Sequence, residues 1–573
     1  MPVPRCATTA EHTDFELELV RGTWPEGIGG EILFSAPARS GRLPYVLFDW
    51  GVICRLTLQP GARGAAPGRF AWQARMIRTP GRRLAERHPE AFRPGPVGYH
   101  SPFGPPNAAN TAPLPWGDRL YATWDAGRPV ELDPDTLEFV AEVGHVDAWG
   151  GSSMDGMGGV MPFVFSSAHP VVDPERDCLW SVKLVFDLAG GGLRPHVVRW
   201  DGTGTTLQRW PLTVCFAGSL HTISQTRDWL ILADSGNFKA DPGEVMGGER
   251  TVTIDDEVPI WLLRKDVIEA TPPGEPLEPT SFTFGPPAGH YYARWDDTDG
   301  ISVVWEGMDL MDLGFSLRPD DRDLNGNPVD PGVVGLYNMA MGPETILEIE
   351  LDPVRGKVLE RGAYRQDWLV NKQLSAMDWS TEGLSRPRLH HLAVQGAKPG
   401  SISERAAALY AERLDRRLVE RETPGALVSF ERESMRLHAR FDYPDLGDLV
   451  TSPTFVPRNP GAVPGHSRHA PAEPGGADGW VVLPVLSDAG VRVDVFDAAD
   501  VGRGPVATLA GTKRECVPLL LHSAWMPTPS GARADAERLR FADELDDERL
   551  SALPDELAAS VRAVAAELDA EAR

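Results

Sequence analysis

The 573-residue chain is predicted to be an all-β protein of propeller type. Three observations predict it. From about residue 30 to 525 the sequence runs as short β-rich segments punctuated by Gly, Pro and Asp clusters. Among them are EILFSAP (Glu31 to Pro37), VICRLTLQP, RFAWQARMIRTP, FVFSSAHP, CLWSVKLVFD, DWLILAD, TVTIDDEVPIWLLRK, GISVVWEGM, ILEIELDP, GWVVLPVLSD and VRVDVFDA. The 58 glycines and 52 prolines disfavour long helices. So many short strands exceed one sandwich, and radial repetition is the arrangement that protects their edges. No blade signature recurs at a fixed period, so the strand pattern alone does not count blades.

Two stretches depart from this pattern. Ser401 to Glu422 (SISERAAALYAERLDRRLVERE) has helical composition and a Ser-x-x-Glu opening that resembles a capping box, which predicts a helical insertion. Beyond about residue 528 the chain turns Ala-, Glu- and Leu-rich and acidic, predicting a helical tail packed on the body or used in self-association. The expected division is therefore residues 1–528 as the β body and 529–573 as the tail. Pro464 to Gly479 is a Pro/Gly loop holding His466 and His469, a weak metal pair because the loop is open.

A formal charge of −26, without any basic stripe, argues against a nucleic-acid partner, since neutralising phosphates needs a cationic face. The five cysteines are scattered and odd in number, with no C-x-x-C, which fits free thiols in a reducing compartment. The first residues lack the apolar stretch of a secretory signal, and no run approaches the length of a membrane span. The expectation is a cytoplasmic protein, with peripheral membrane contact left open. Nothing bears on the oligomeric state.

Phosphate-binding loops, H-E-x-x-H zinc motifs and G-x-S-x-G elbows are all absent. His-x-Asp/Glu, the opening of an iron-binding facial triad, occurs at His12, His88 and His145; 14 histidines and 82 acidic residues among 573 give about two by chance (14 × 82/573), so three carry no signal. Four other histidines stand beside predicted strands, far apart in sequence: SSAHPVVDP (His169), SLHTISQTRDWLIL (His221), GHYYARWDDTDGISVVW (His290) and LLHSAWMP (His522). In a propeller, inner strand ends converge on one axis, so these four are candidates for a shared metal. Each by itself equally suits a hydrogen-bonded structural histidine.

The same contexts resemble the carotenoid cleavage oxygenases, seven-bladed propellers, over residues 25 to 526. YVLFDWGVICRLTL resembles the family's Phe-Asp-Gly-x-Gly segment. Ala109 to Thr111 (ANT), AHPVVDP, HTISQTRDWLIL, TFVPR and LLHSAW follow in the family's order. Gly127 to Glu138 (GRPVELDPDTLE) is similar to the bacterial lignostilbene-type branch.

The resemblance implies that His169, His221, His290 and His522 ligate Fe(II), with dioxygen and an apolar or aromatic alkene as reactants. Four neutral imidazoles add no anionic charge, favour the ferrous state and leave two positions of a six-coordinate ion open. It implies that Thr111 leans over the open side and that Tyr99 and Trp124 contact substrate; where the lignostilbene branch has a lysine beside its tyrosine, this chain has Trp124. The family orients three histidines with glutamates. Here Asp125 takes the first place, Asp378 the second with Glu382 as rival, and Ser452 the third. An aspartate arm is one methylene shorter and a serine brings no charge, so weaker metal binding or a different oxidation or isomerisation at the same centre is a competing expectation. A metal-poor binding scaffold is the remaining one.

Overall fold

A computed structural model describes residues 12–571 except 27, 41, 59–68, 96–97, 151–158, 162, 188, 240, 246–247, 377–387, 459–477 and 527–537. Among the described residues, five antiparallel sheets of four or five strands accompany one sheet of ten strands and a two-stranded ribbon. Four of the five are meanders, and in the other Phe165–Ser166 and Val171–Asp173 both pair with Cys178–Asp187. The first runs from Ala112–Trp116 to Phe139–Glu142 and the second from Phe165–Ser166 to Gln208–Pro211. The third runs from Ile223–Gln225 to Thr280–Phe284, the fourth from Ala288–Ala293 to Lys357–Tyr364, and the fifth from Lys372–Ser375 to Arg436–Asp442. Most strands adjacent in sequence pair with each other, whether joined by tight turns or by long connections such as that between Leu389–Val394 and Ala426–Glu431. The architecture is all-β and propeller-like.

Strand chemistry follows the two-residue period where one face is buried. Phe70–Met76 (FAWQARM) alternates fully buried with half-buried residues, whereas Cys178–Asp187 is buried along its first seven residues because it is covered on both faces. Apolar side chains from neighbouring sheets meet between them. Ile231, Ile260 and Leu262 of the third sheet pack with Tyr291, Trp305 and Ile349 of the fourth.

The ten-stranded sheet joins the two ends of the chain. Ala507–Gly511 pairs with His12–Gly22, and Ser523–Met526 pairs with Gly30–Pro37, Ser523 lying opposite Phe34. This closure carries the last predicted histidine back to the start of the chain. Near the axis, small hydroxyl side chains tie one sheet to the next. Ser167 donates to the His221 carbonyl (2.8 Å), Thr222 to the Gly289 carbonyl (2.7 Å), and the Ala293 N–H donates to Ser224 (2.8 Å). Gly51 is required by close approach: a Cβ there would lie 2.3 Å from the Ala108 carbonyl oxygen.

The long helix expected over 401–422 does not form. The segment holds one short helix, Glu404–Leu409, between single 3-10 turns at Pro399–Ser401 and Arg416–Leu418. Its cap is Ser403, whose hydroxyl accepts from the Ala406 N–H, and not Ser401. Tertiary burial decides this: Ile402, Ala406, Ala407, Tyr410 and Val419 insert into a cluster with Met308, Phe315 and Met341, which a single straight helix face cannot present.

Helices Asp547–Ser551 and Asp555–Glu571 dock on the body. Val561, Val564 and Leu568 join the largest core cluster, and Glu571 and Glu567 pair with Arg83 and Arg87 of helix Pro80–Arg87. Arg128, with only 2% of its side chain exposed, donates to both oxygens of Glu544 (2.7 and 2.6 Å) and pairs with Glu142. No described helix is long and apolar enough to cross a membrane.

Candidate metal centre

Four strand starts converge at the axis and each brings one imidazole. His169 sits past Phe165–Ser166, and Pro170 ends the ladder there. Its N–H donates to the His221 carbonyl (3.2 Å), its carbonyl accepts from the Ile223 N–H (3.3 Å), and it forms a parallel bridge with Thr222. His221 stands two residues before the strand that begins at Ile223, and His290 lies inside Ala288–Ala293. His522 stands just before Ser523–Met526, its N–H donating to the Thr111 carbonyl (3.4 Å).

The ligand nitrogens of His169, His221, His290 and His522 all lie within 4.8 Å of one another. Nε2 of His169 and Nε2 of His221 are 3.2 Å apart, so those two nitrogens face a common point. A first-row divalent ion sits roughly 2.0–2.1 Å from an imidazole nitrogen, which allows opposed donors to be about 4 Å apart. The cluster fits such an ion. Burial, then repulsion from the neighbouring rings, holds His169, His290 and His522 well below the ordinary histidine range. They are therefore neutral at pH 7 and offer lone pairs.

Asp125 lies 2.9 Å (Oδ2) and 3.2 Å (Oδ1) from Nδ1 of His221, and its Oδ1 also accepts the Ala168 N–H. A carboxylate on Nδ1 holds the tautomer whose Nε2 is free to ligate. Thr111 is buried; its hydroxyl donates to Asn110 Oδ1 (3.1 Å), and its carbonyl takes the Ser35 hydroxyl as well as the His522 N–H. Ser452 is buried at 1% exposure and its hydroxyl has no hydrogen-bond partner among the described residues. Asp378, Glu382, His466 and His469 fall outside the described residues.

Tyr99 is stacked on Trp50 at 5.0 Å, with its hydroxyl donated to Asp49 (3.2 Å) and in contact with Ser40 (3.1 Å). Burial and then Asp49 push its pKa up to about 12, so it remains a phenol. Trp124 is buried and meets Phe48 edge-on at 6.4 Å; Phe48 in turn contacts Tyr45 and Phe238. His88 and His145 are away from the axis, in contact with Ser560 and the Asp543 carbonyl of the C-terminal segment.

Sequence reasoning missed the groups behind His290. Glu306, fully buried, lies 2.8 Å from Nε2 of His390 and accepts the Ser375 hydroxyl. Glu344, also buried, is pushed up to about 8 by burial, with Lys372 acting against it. One signal was visible: Glu306 interrupts the apolar run ISVVWEG, where a charge is costly. The aromatic contacts of Phe48 and Phe238 left no comparable trace.

Antiparallel sheets arranged around three buried imidazoles and the half-buried His221 define a metal-binding protein of the propeller class. Residues 6–527 match the family model described as RPE65, retinal pigment epithelial membrane protein, and the chain belongs to that family, the carotenoid cleavage oxygenases. A resveratrol cleavage oxygenase of Botryotinia fuckeliana is 27% identical over 240 residues, 39% of this chain and 39% of that protein. The apocarotenoid-15,15'-oxygenase of Synechocystis is 30% identical over 179 residues, 28% of this chain and 32% of that protein. Each alignment thus spans well under two thirds of the relative. The crystal structure of cobalt-substituted Synechocystis ACO superposes with a TM-score of 0.61, covering 92% of this chain and 98% of that one at 18% identity, a likeness of fold.

Proposed function

We propose that the protein is a non-haem Fe(II) dioxygenase that splits a carbon–carbon double bond of an apolar conjugated substrate, an apocarotenoid, stilbenoid or phenylpropenoid, into two carbonyl products. The observation that carries this reading is the four-histidine cluster, with its donors within 4.8 Å of one another. A ferrous ion bound there supplies the activation of dioxygen, whose two atoms end in the two carbonyls, so the reaction balances without a nucleotide or external reductant.

The remaining work falls to this chain's own side chains. Asp125 holds the Nδ1 proton of His221 and keeps Nε2 directed inward. Thr111, tied to His522 through its carbonyl, bounds the open side. Asp378 is assigned a ligand-orienting role, while Ser452 stands where the family has the third of its orienting glutamates. Trp124, with Phe48 behind it, gives an apolar wall one residue from Asp125 and excludes water from a hydrocarbon substrate. Tyr99 borders the same region, with its proton committed to Asp49. Names of the matched relatives, cleavage oxygenases for resveratrol and an apocarotenoid, support an apolar alkene.

We read the ten-stranded sheet as two blades merged where Ala507–Gly511 meets His12–Gly22, which with the five separate sheets makes seven. On this reading residues 1–528 are the propeller and 529–573 a helical tail. Unpaired Cys54, Cys178, Cys215 and Cys516 support a cytoplasmic setting. A second reading, another oxidation or isomerisation at the same centre, is favoured by Ser452, an uncharged residue in place of a carboxylate.

The test is metal analysis after anaerobic purification, followed by oxygen uptake with stilbenes, isoeugenol-like alkenes and apocarotenals. About one iron per chain and paired aldehyde products are expected. Substrate consumption without paired carbonyls turns the assignment to the second reading, and negligible metal removes both.

A further inference from the structure

We propose that Glu306 is a positioning residue for His290, supplying the carboxylate for that imidazole from across the strand pair; the inference rests on the reading that the four histidines hold a divalent metal. Glu306 belongs to Ile301–Gly307, which pairs antiparallel with Ala288–Ala293, and the register sets it directly opposite His290. Directly opposed residues leave the same face of a sheet, with Cβ atoms roughly 4.5–5.5 Å apart.

The surroundings make a structural origin for this charge unconvincing. Ile301, Val303, Val304 and Trp305 are buried and apolar, and Glu306 is itself 0% exposed. A carboxylate in such a strand is retained against its desolvation cost. Only one of its oxygens is used. Oε1 is held by Nε2 of His390 at 2.8 Å and by the Ser375 hydroxyl, both from the next sheet, whereas Oε2 has no hydrogen-bond partner among the described residues. Two contacts on one oxygen fix the carboxylate's orientation and leave the other available to an imidazole N–H.

His290 shares its seam with the same groups. Tyr292, two residues on and therefore on the same face, lies near-parallel to His290 (15°, centroids 6.5 Å apart) and 5.8 Å from the ring of His390. His290, Tyr292, Glu306 and His390 thus occupy one buried layer between the fourth and fifth sheets. A carboxylate that accepts the outer N–H of a ligating imidazole fixes its tautomer and raises its basicity. In this arrangement Ser375 and His390 hold Glu306, and Glu306 holds His290.

The experiment uses the full chain, purified anaerobically and loaded with Co(II), as wild type, Glu306→Gln, Glu306→Asp and Ser375→Ala. Co(II) affinity is measured by chelator competition, the ligand-field absorption is recorded, and apo-protein thermal unfolding checks folding. Glu306→Gln is expected to weaken Co(II) binding about 10–100-fold and change the absorption bands, with partial recovery in Glu306→Asp. Ser375→Ala, which loosens Glu306 without removing it, is expected to weaken binding by a smaller factor and serves if Glu306→Gln does not fold. Native affinity and spectrum in both Glu306→Gln and Ser375→Ala overturn the assignment while leaving the metal site standing. Failure of the wild type to bind Co(II) overturns the metal reading and this inference together.

Discussion

Replacing Asp125 with asparagine preserves the shape of the side chain and removes its charge. In the native protein Nδ1 of His221 is 2.9 Å from Oδ2 and 3.2 Å from Oδ1, and Oδ1 also accepts the Ala168 N–H at 3.1 Å. Asparagine has one acceptor oxygen. If it keeps the Oδ1 contacts, its amide nitrogen takes the place of the closer acceptor and turns a donor toward a donor. A hydrogen bond to a charged group contributes about 1.5–3 kcal/mol and a neutral one about 0.5–1.5. Because the two side chains retain 32% and 21% exposure, the lower part of that range applies. The loss is then about 1–1.5 kcal/mol, roughly tenfold in metal affinity. Chelator competition with Co(II) at fixed pH measures it directly. Asp125→Asn is expected to bind about tenfold more weakly, and Asp125→Ala to lose more. Unchanged affinity in both variants refutes the argument that the aspartate's charge holds the His221 tautomer.

Three further expectations follow from other parts of the fold. Ser452→Glu restores a carboxylate at a buried hydroxyl with no hydrogen-bond partner among the described residues and is expected to slow metal loss on dialysis; unaltered loss counts against the placement of Ser452 where the family has its third orienting glutamate. Glu344 is raised from 4.5 to about 8, so between those values the native state keeps a proton that the unfolded chain has released, and stability falls as pH rises through that window. From pH 5 to 9 the wild type should lose up to about 4–5 kcal/mol more stability than Glu344→Gln in denaturant titrations; equal losses dismiss it. Arg128→Met strands Glu544 and Glu142 and should cost about 3–5 kcal/mol, seen as faster amide exchange in helix Asp555–Glu571 with metal affinity retained. Unchanged exchange shows that the Arg128 pairs do not hold that helix.

Much of the site was legible before any coordinates because local chemistry announced it. A histidine between a small residue and a proline at a strand end, as at His169, is rigid by backbone sterics alone. The aspartate at 125 was readable from its place in the ATWDAG segment, and the structure sets it against His221. The segment 401–422 misled because helical composition is a weak prior. Its apolar residues went to a tertiary cluster instead, leaving six residues of helix. Glu306 was passed over because its meaning depends on a cross-strand partner sixteen residues away (306 − 290), a register that no local pattern states.

What the amino-acid order determined by itself is the β class and the turn positions, since strand period and turn chemistry are local properties; the four imidazoles were singled out by the resemblance of their contexts to the carotenoid cleavage oxygenases. Only the folded chain decided that His169, His221, His290 and His522 share a space 4.8 Å across, and that Glu306 stands opposite His290. The first comes from sheet closure, Ala507–Gly511 pairing with His12–Gly22 and Ser523–Met526 with Gly30–Pro37, and the second from the register of two consecutive strands in the fourth sheet. Non-local strand pairing sets the distances between segments hundreds of residues apart, and it depends on how all the sheets pack around one axis.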